Sequence, residues 1–293
     1  MPESIQTVCV VGAGAMGHQL STLAAIKGFE TYCTDVSREQ LDKAQAFAGR
    51  YLPERVAKGR LSRAEADVAR SKLHFTPSLE EAAASADFVI EAVPEKLEIK
   101  RALFARLDAI CPSHATMVTN SSTIVSSLIA DATRRPDAIC NMHFFYPALV
   151  MNIVEIVKGP HTSEGTAQAT VDMARALGKT PILLNKEIYG FVVDRILYAM
   201  FKEAWNLVTL EVASPQSIDV AVEGALGHPM GPFRIIDLSG VDLIYDIFQG
   251  HFEDTGDPSE APPQFLVDMV KAGKWGKKTG QGFYDYSDAQ ETA

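Results

Sequence analysis

The sequence predicts an α/β fold in which a doubly wound parallel sheet is followed by an all-helical C-terminal domain. Two observations carry this prediction. Up to Leu184, apolar segments of strand length alternate with longer segments of helical character. From Tyr189 onward the strand pattern stops. We therefore expect one domain over residues 1–186, with a helical arm near residues 38–70, and a helical domain over residues 187–293 that contributes to substrate binding and dimerisation.

The composition and net charge indicate which kinds of binding partner to expect. With 293 residues, of which 47% are hydrophobic, the chain can bury a sizeable core. The net charge of −10 argues against nucleic acid and anionic membrane as partners. The sequence contains neither a signal-peptide pattern nor an apolar segment as long as a membrane span. Four cysteines without CxxC spacing suit a reducing compartment. We expect a cytoplasmic protein that binds a small molecule and has no metal site.

A glycine pattern follows the first apolar strand, Thr7–Val11, and leads into a helical segment over residues 15–27. Strand, GxGxxG and helix in this order predict a dinucleotide-binding turn in a Rossmann-type fold. The first glycine permits a tight turn, the second lets the backbone approach the pyrophosphate, and the third lets the helix pack on the strand. The helix N-terminus offers free N–H groups to phosphate. The predicted cofactor-binding residues of this loop are Gly12, Gly14, Ala15, Met16 and Gly17.

The second strand, Glu30–Thr34, ends at an acidic residue, Asp35. Asp35 lies 35 − 17 = 18 residues after the last glycine, close to the spacing of a ribose-binding carboxylate. Such a carboxylate accepts hydrogen bonds from a ribose diol and repels a 2′-phosphate, so it favours NAD over NADP. Arg38 keeps NADP open as the alternative.

Residues 38–69 are charged and favour helix, with Pro53 and Gly59 as breaks, so we expect two helices there. This connection is longer than a minimal crossover and carries several basic residues. The functional interpretation is an arm that reaches the substrate. The alternative is a solvated helix face.

Polar residues follow two further strands. Residues 88–93 form an apolar strand that contains Glu91 and is followed by Glu95, and the helix Leu97–Ile110 carries Lys100. The strand Thr116–Thr119 ends at residues 120–123. Ligands bind outside the carboxyl ends of parallel strands, so Asn120 and Ser122 are placed to contact one. As isolated residues they are more often helix caps.

The chemistry is expected to converge on His143 and Glu155. His143 ends an apolar strand over residues 138–142, and Glu155 is the one charged residue of the next apolar strand, Ile153–Val157. A buried carboxylate without a partner is costly, and His143 is the nearest candidate. A carboxylate that accepts the imidazole N–H fixes the tautomer and raises the basicity of the other nitrogen. The alternative is a satisfied core histidine and an edge-strand glutamate.

A helix over residues 163–177 and a strand over residues 181–184 complete the predicted sheet domain. Residues 191–210 then form a helix that is apolar on most of its circumference. Such a helix is buried or lies in an interface. We therefore predict a homodimer built through the C-terminal domain.

Together these residues resemble the L-3-hydroxyacyl-CoA dehydrogenase family, which includes bacterial 3-hydroxybutyryl-CoA dehydrogenases. The resemblance spans nearly the whole chain. It implies an NAD-dependent oxidoreductase of fatty acid metabolism that interconverts an L-3-hydroxyacyl-CoA and a 3-oxoacyl-CoA. The matching segments are residues 12–17, 91–95, 120–122, 143–145, 153–157, 229–233 and 276–284.

The resemblance also assigns roles to individual residues. It implies that His143 is the general base and acid and that Glu155 is its partner. Ser122 matches a serine that contacts the substrate. The positions of the nicotinamide-side contacts match Glu95, Lys100 and Asn120, and Lys58 matches a lysine that contacts CoA.

The chain departs from the family pattern at several positions. Asp194 stands where the family has an asparagine that helps to hold the substrate oxygen, which makes it a further candidate catalytic residue. Three alternatives are open for Asp194: it is protonated, it pairs with Arg195 or another base, or it binds a substrate group that acyl-CoA lacks. Tyr146 replaces an asparagine, Tyr189 a proline, and Glu54 a residue that is often basic.

Residues 186–191 and 203–205 are also similar to the L-gulonate 3-dehydrogenase and lambda-crystallin branch. The substrate of that branch is a free hydroxy acid. A free 3-hydroxy acid is therefore the alternative substrate class. A structural protein without catalysis, as some lambda-crystallins are, needs only the fold.

Overall fold

The computed structural model describes residues 5–287 and divides the chain into two compact units, of which one ends at Val192 and the other begins at Val193. The first unit is an α/β sheet structure, and the described part of the second is helical. The predicted fold class is thus confirmed. Within residues 5–287, none of the helices has the length and apolar character that crossing a membrane requires.

Eight strands form one sheet in the order β3-β2-β1-β4-β5-β6-β7-β8. Strands β1 to β6 run parallel to one another, whereas β7 is antiparallel to β6 and parallel to β8. The strands are β1 Thr7–Val11, β2 Glu30–Thr34, β3 Leu73–Thr76, β4 Phe88–Glu91, β5 Thr116–Thr119, β6 Ile139–Phe144, β7 Ile153–Val157 and β8 Thr180–Leu184.

Helices cover both faces of this sheet. The central strands are therefore buried on both faces, and their sequences are continuous apolar segments. Successive side chains of β1 point to opposite faces. Val8 and Val10 pack in one core cluster, whereas Cys9 and Val11 pack in another. The helices of the first unit are α1 Gly17–Ile26, α2 Arg38–Ala57, α3 Arg63–Ser71, α4 Leu79–Ala83, α5 Leu97–Ile110, α6 Ser127–Ala130 and α7 Glu164–Ala176.

The arm consists of α2 and α3, and one detail of its prediction is wrong. Pro53 lies inside α2 and does not end it. Proline removes one backbone hydrogen bond from a helix interior, and here the helix continues to Ala57 despite that loss. The turn between the two helices comes at Gly59, whose φ of +63° suits glycine.

Two elements between the arm and β4 are absent from the sequence prediction. The edge strand β3 has only one buried residue, Thr76, and α4 is five residues long. Neither presents the apolar periodicity on which the prediction rests. Where the sequence analysis gave the bounds of an element, the observed ends differ from the expected ones by at most two residues, a difference that is common at element ends.

The second unit packs around aromatic side chains, which include Phe201, Trp205, Phe233 and Phe248. Asp237 is buried and accepts hydrogen bonds from the backbone N–H groups of Phe283 and Tyr284 and from the Tyr286 hydroxyl, which fastens the end of the described chain. The helices are α8 Val193–Thr209, α9 Pro215–Leu226, α10 Pro232–Ser239, α11 Val241–Thr255 and α12 Gln264–Lys271.

The helix predicted over residues 191–210 corresponds to α8. The buried residues of this helix are Phe201, Ala204 and Trp205. Ile196 is 67% exposed, and Leu210, which follows the helix, is 64% exposed. Apolar surface on α8 thus remains in contact with solvent in the single chain.

Candidate active site

The glycine loop between β1 and α1 has the geometry of a phosphate cradle. Gly12 has a φ of +100°, and a Cβ on it would lie 2.4 Å from the Ala92 carbonyl oxygen. A Cβ on Gly17 would lie 1.6 Å from the Gly12 carbonyl oxygen. At Gly14 a Cβ would meet no described atom within 4 Å, so the backbone there is open to a ligand. These environments fit a bound dinucleotide pyrophosphate.

The helix that follows begins at Gly17, two residues later than the sequence predicted, with Met16 as its N-cap. The Met16 side chain makes no capping hydrogen bond. In the first turn, the His18 N–H donates to the Gly14 carbonyl oxygen at 3.2 Å and the Gln19 N–H donates to the Met16 carbonyl oxygen at 3.1 Å. Ala15 is exposed at the mouth of the loop, and Met16 is half-buried.

Asp35 lies directly after β2, beside the glycine loop. Its Oδ2 accepts a hydrogen bond from the Ala13 N–H at 2.7 Å, and its Oδ1 accepts one from the Ser37 N–H at 2.8 Å. These two hydrogen bonds hold the carboxylate at the edge of the glycine loop. Arg38, the residue that kept NADP open, pairs with Asp42 at 3.1 Å on the exposed side of α2.

His143 and Glu155 face each other across the antiparallel pair β6–β7, where they are direct partners in the register. Both side chains are buried, and His143 Nδ1 lies 2.9 Å from Glu155 Oε2. The Val192 N–H donates to Glu155 Oε1 at 2.9 Å. Because an ionised carboxylate only accepts, Nδ1 carries the proton and Nε2 is left as the basic nitrogen.

Ser122 completes a chain of hydrogen bonds with this pair. Its Oγ lies 2.9 Å from His143 Nε2. Ser122 is half-buried in the segment after β5, and Asn120 in the same segment accepts a hydrogen bond from the Phe144 N–H at 3.0 Å. The imidazole also contacts the ring of Phe145, with centroids 4.6 Å apart. The structure thus brings Asn120, Ser122, His143 and Glu155 together at one edge of the sheet.

A second charged group lies at the same edge, at the end of β4. Lys100 is buried, and its Nζ contacts Glu91 Oε1 at 2.7 Å and Glu95 Oε2 at 3.2 Å. Burial by itself raises the pKa of Glu95, but the Lys100 charge and hydrogen bonds from Ser121 and Thr123 outweigh it and hold that pKa below its ordinary value. Glu95 therefore stays ionised near neutral pH.

Glu91 is missing from the predicted site. It is fully buried, and it accepts hydrogen bonds from Lys100 Nζ, the Val93 N–H and the Thr119 hydroxyl. The signal was available, since Glu91 is an isolated charge in an apolar strand, as Glu155 is.

The segment after His143 has supports that the sequence analysis also missed. Lys179 Nζ donates to the carbonyl oxygens of Ala148 and Met151 at 2.6 and 2.7 Å. Gln19, in the helix after the glycine loop, accepts a hydrogen bond from the Leu149 N–H at 3.2 Å. Burial lowers the pKa of Lys179, and the nearby Lys27 charge adds to this effect. Two distant parts of the first unit thus fix the backbone beyond the imidazole.

Two predicted site residues have different surroundings. The Lys58 ammonium lies 2.5 Å from Glu54 Oε1, one turn earlier in α2, and its side chain is 58% exposed. Asp194 is half-buried in the first turn of α8, in the second unit. A carboxylate is favoured at that position by the helix dipole. Within residues 5–287 no group of three His, Cys, Asp or Glu side chains is arranged to hold a metal ion.

Two family models together match most of the chain. Residues 7–188 match the model of the 3-hydroxyacyl-CoA dehydrogenase NAD binding domain. Residues 190–286 match the model of the C-terminal domain of the same family. The resemblance inferred from the sequence motifs is confirmed, and so is NAD as the cofactor.

Individual relatives agree with these matches. A probable 3-hydroxybutyryl-CoA dehydrogenase of Bacillus subtilis is 36% identical, and the alignment covers 97% of this chain and 98% of the relative. The crystal structure of (S)-3-hydroxybutyryl-CoA dehydrogenase from Ralstonia eutropha has a TM-score of 0.89 and 34% identity, covering 97% of this chain and 99% of that one. A diketoreductase structure has a TM-score of 0.86 and 30% identity, covering 97% and 99%.

The described site and these relatives place the chain among the oxidoreductases, as the sequence predicted. The chain belongs to the 3-hydroxyacyl-CoA dehydrogenase family.

Proposed function

We propose that this protein interconverts an L-3-hydroxyacyl-CoA and the corresponding 3-oxoacyl-CoA with NAD, and that His143 is its general base and acid. The observation that carries the proposal is the hydrogen-bonded chain from Ser122 through His143 to Glu155, with both distances at 2.9 Å. These hydrogen bonds lie at the same edge of the sheet as the glycine loop. The family match and the names of the relatives support the substrate class.

In the oxidation direction, His143 Nε2 takes the proton of the 3-hydroxyl group. Bound NAD supplies the acceptor for the hydride that leaves the same carbon. Glu155 holds the ring so that Nε2 faces the substrate, and its charge stabilises the imidazolium that forms. General-base catalysis of this kind contributes about 10²–10⁴-fold to the rate. In the reduction direction His143 returns the proton to the new alkoxide.

Ser122 is proposed to hold the reacting oxygen. In the structure its Oγ already lies at hydrogen-bond distance from the basic nitrogen. A substrate oxygen that contacts both groups would accept the serine O–H and share its proton with Nε2. The serine then stabilises negative charge on that oxygen in the transition state.

The cofactor is proposed to lie across the carboxyl ends of the strands in their spatial order. Asp35, after β2, would bind the adenine-side ribose, and Gly12, Gly14, Ala15, Met16 and Gly17 would bind the pyrophosphate. Glu95, Lys100 and Asn120, after β4 and β5, would then face the nicotinamide end. The strand order β2-β1-β4-β5-β6 leads from the ribose to His143 and supports this assignment.

The structure says less about how the CoA part of the substrate is bound than about how its reacting carbon is bound. Lys58 on the arm is proposed to contact CoA, but its ammonium pairs with Glu54 in the structure. That pair weakens the pull of Lys58 on a phosphate. A second candidate function is therefore the dehydrogenation of a free 3-hydroxy acid. The diketoreductase to which this chain is similar acts on dicarbonyl compounds, a chemical class that includes free 3-oxo acids as well as 3-oxoacyl-CoA.

The deciding experiment is NADH oxidation with acetoacetyl-CoA beside a panel of free 3-oxo acids. The main proposal predicts a kcat/KM for acetoacetyl-CoA at least about 10²-fold above that for acetoacetate, because the CoA part adds binding energy. Equal or inverted values would establish the second candidate. Lys58→Met should raise the KM for acetoacetyl-CoA. Lys43→Met is the matched control, since Lys43 pairs with Glu39 in the same i,i+4 arrangement of the same helix.

The N-terminal unit is proposed as the NAD-binding domain, and the helical unit as the part that contributes substrate contacts and the dimer interface. The exposed apolar side chains of Ile196 and Leu210 support an interface there. A cytoplasmic location is proposed because all four cysteines are free and buried.

A further inference from the structure

We propose that Glu91 is a positioning residue that sets the charge beside the nicotinamide and thereby tilts the site toward NAD⁺ over NADH. This inference rests on the proposed function, in which Glu95 and Lys100 face the nicotinamide end of the cofactor. It assigns a role to a residue that does not touch the cofactor itself.

The surroundings of Glu91 are those of an ionised carboxylate. It is fully buried, and three donors converge on it: Lys100 Nζ at 2.7 Å, the Val93 N–H at 2.7 Å and the Thr119 hydroxyl at 2.6 Å. A carboxylate without charge would use only part of this donor set. The contacts therefore hold a negative charge at the end of β4.

Glu91 also fixes Lys100, which is 1% exposed. The ammonium lies between Glu91 on the buried side and Glu95 on the side toward solvent, where the Glu95 side chain is 41% exposed. Two carboxylates thus share one ammonium, and the group has one negative charge in excess. Without Glu91, the charges of Glu95 and Lys100 would cancel.

The position of this group relative to the glycine loop is fixed by backbone packing. Ala92, the residue after Glu91, lies against Gly12, where an added Cβ would come within 2.4 Å of the Ala92 carbonyl oxygen. The Asn120 N–H donates to the Glu91 carbonyl oxygen at 2.8 Å. The charged group therefore lies between the pyrophosphate cradle and Asn120, at the end of the dinucleotide opposite to Asp35.

The two redox forms of the cofactor differ at this end. The nicotinamide ring of NAD⁺ carries a positive charge, and that of NADH is neutral. An excess negative charge nearby stabilises the oxidised form preferentially, and the effect is large where solvent is partly excluded. The positive charge of Lys100 alone would disfavour NAD⁺. The presence of Glu91 therefore determines which form of the cofactor the charged group favours.

The test is the ratio of the dissociation constants for NAD⁺ and NADH, measured by calorimetry and by NADH fluorescence. Glu91→Gln should raise the ratio Kd(NAD⁺)/Kd(NADH) by about tenfold, because it removes one charge near the ring. Loss of packing alone would weaken both forms alike and leave the ratio unchanged. Glu80→Gln is the matched control, since Glu80 is an exposed glutamate that pairs with Arg106, and the ratio should not move.

Because Glu91→Gln leaves Lys100 with one counter-ion fewer, a second variant covers the case in which it does not fold. Glu91→Gln/Lys100→Gln removes both buried charges and leaves Glu95 as the excess charge. Its ratio should return to within about twofold of the unaltered protein. An unchanged ratio in the single variant, or a tenfold shift in the double variant, would overturn the role of Glu91.

These outcomes are separable from the proposed function. Suppose that the unaltered protein binds NADH and reduces acetoacetyl-CoA, but that Glu91→Gln does not change the ratio Kd(NAD⁺)/Kd(NADH). Only the role proposed for Glu91 then fails. If the unaltered protein binds neither form of the cofactor, the proposed function fails and takes this inference with it.

Discussion

Glu155 lies directly opposite His143 in the antiparallel pair β6–β7, and its Oε2 accepts the Nδ1–H of the imidazole at 2.9 Å. The register produces this contact. A slip of one residue would turn Glu155 to the other face of the sheet and leave a buried carboxylate without this donor. The apolar side chains around the pair, Met142, Phe144, Val154 and Ile156, fix the register by packing in the core.

Replacing Glu155 by Gln should lower kcat by about 10–10²-fold and leave the Kd for NADH nearly unchanged. The amide has no charge to stabilise the imidazolium, and its NH₂ group can donate to Nδ1 and so move the imidazole proton to Nε2. Steady-state kinetics and NADH fluorescence titration check this. The same substitution at Glu164, which is exposed and pairs with Lys158, is the control and should leave kcat unaltered. A normal kcat in Glu155→Gln would mean that the imidazole needs no carboxylate partner.

NADH should be preferred over NADPH by about 10²-fold or more in kcat/KM, because the Asp35 carboxylate is held beside the ribose position and repels a 2′-phosphate. Asp35→Asn should reduce this preference, since the amide carries no charge. Glu39→Gln, which removes an exposed carboxylate from the same region, should leave the preference intact. Equal efficiency of the unaltered protein with both cofactors would contradict the assignment of Asp35.

The protein should be a homodimer at micromolar concentration, because the C-terminal unit exposes apolar side chains such as Ile196 and Leu210. Light scattering should give twice the mass of 31.8 kDa for one chain. Ile196→Glu should weaken the dimer, whereas Val68→Glu, on the exposed side of α3, should not. A monomeric mass for the unaltered protein would refute this prediction.

Asp194→Asn should preserve the fold and should raise, or at least not lower, activity on short 3-oxoacyl-CoA substrates. The expectation rests on the alternative in which Asp194 pairs with Arg195 or another base, because an aspartate beside an arginine is more often a structural pair than a reacting group, and the amide that replaces it can still donate a hydrogen bond. The assay is kcat/KM for acetoacetyl-CoA, with circular dichroism as the check on folding. Loss of activity on the best substrate would instead make Asp194 a recognition residue and would favour a substrate other than acyl-CoA.

Much of the first unit was predictable from the sequence. The strands that are buried on both faces, such as Thr7–Val11 and Ile153–Val157, are short apolar segments with clear ends, and the structure has them at the predicted bounds. The edge strand Leu73–Thr76 was not predictable in this way, because a strand with one buried residue has no apolar pattern. Pro53 misled the prediction because a helix can tolerate the loss of one backbone hydrogen bond when the rest of it is well supported.

In the candidate site, too, some contacts were predictable from the sequence and others were not. The contact of His143 with Glu155 was predictable, since an isolated charge in an apolar strand needs a partner and few are in reach. The contact of Ser122 with His143 depends on how β5 and β6 lie side by side after a crossover, which local sequence does not specify. Lys58 shows a further limit, because its pairing with Glu54 depends on a choice among several exposed charges of similar energy.

The most direct test of the account is the comparison of turnover and cofactor affinity in His143→Gln. The account predicts that kcat with acetoacetyl-CoA falls by about 10²-fold or more, while the Kd for NADH stays within about twofold. His114→Gln, at an exposed histidine that pairs with Asp87, serves as the control and should behave as the unaltered protein. Near-normal turnover of His143→Gln would place the base elsewhere and contradict the central claim.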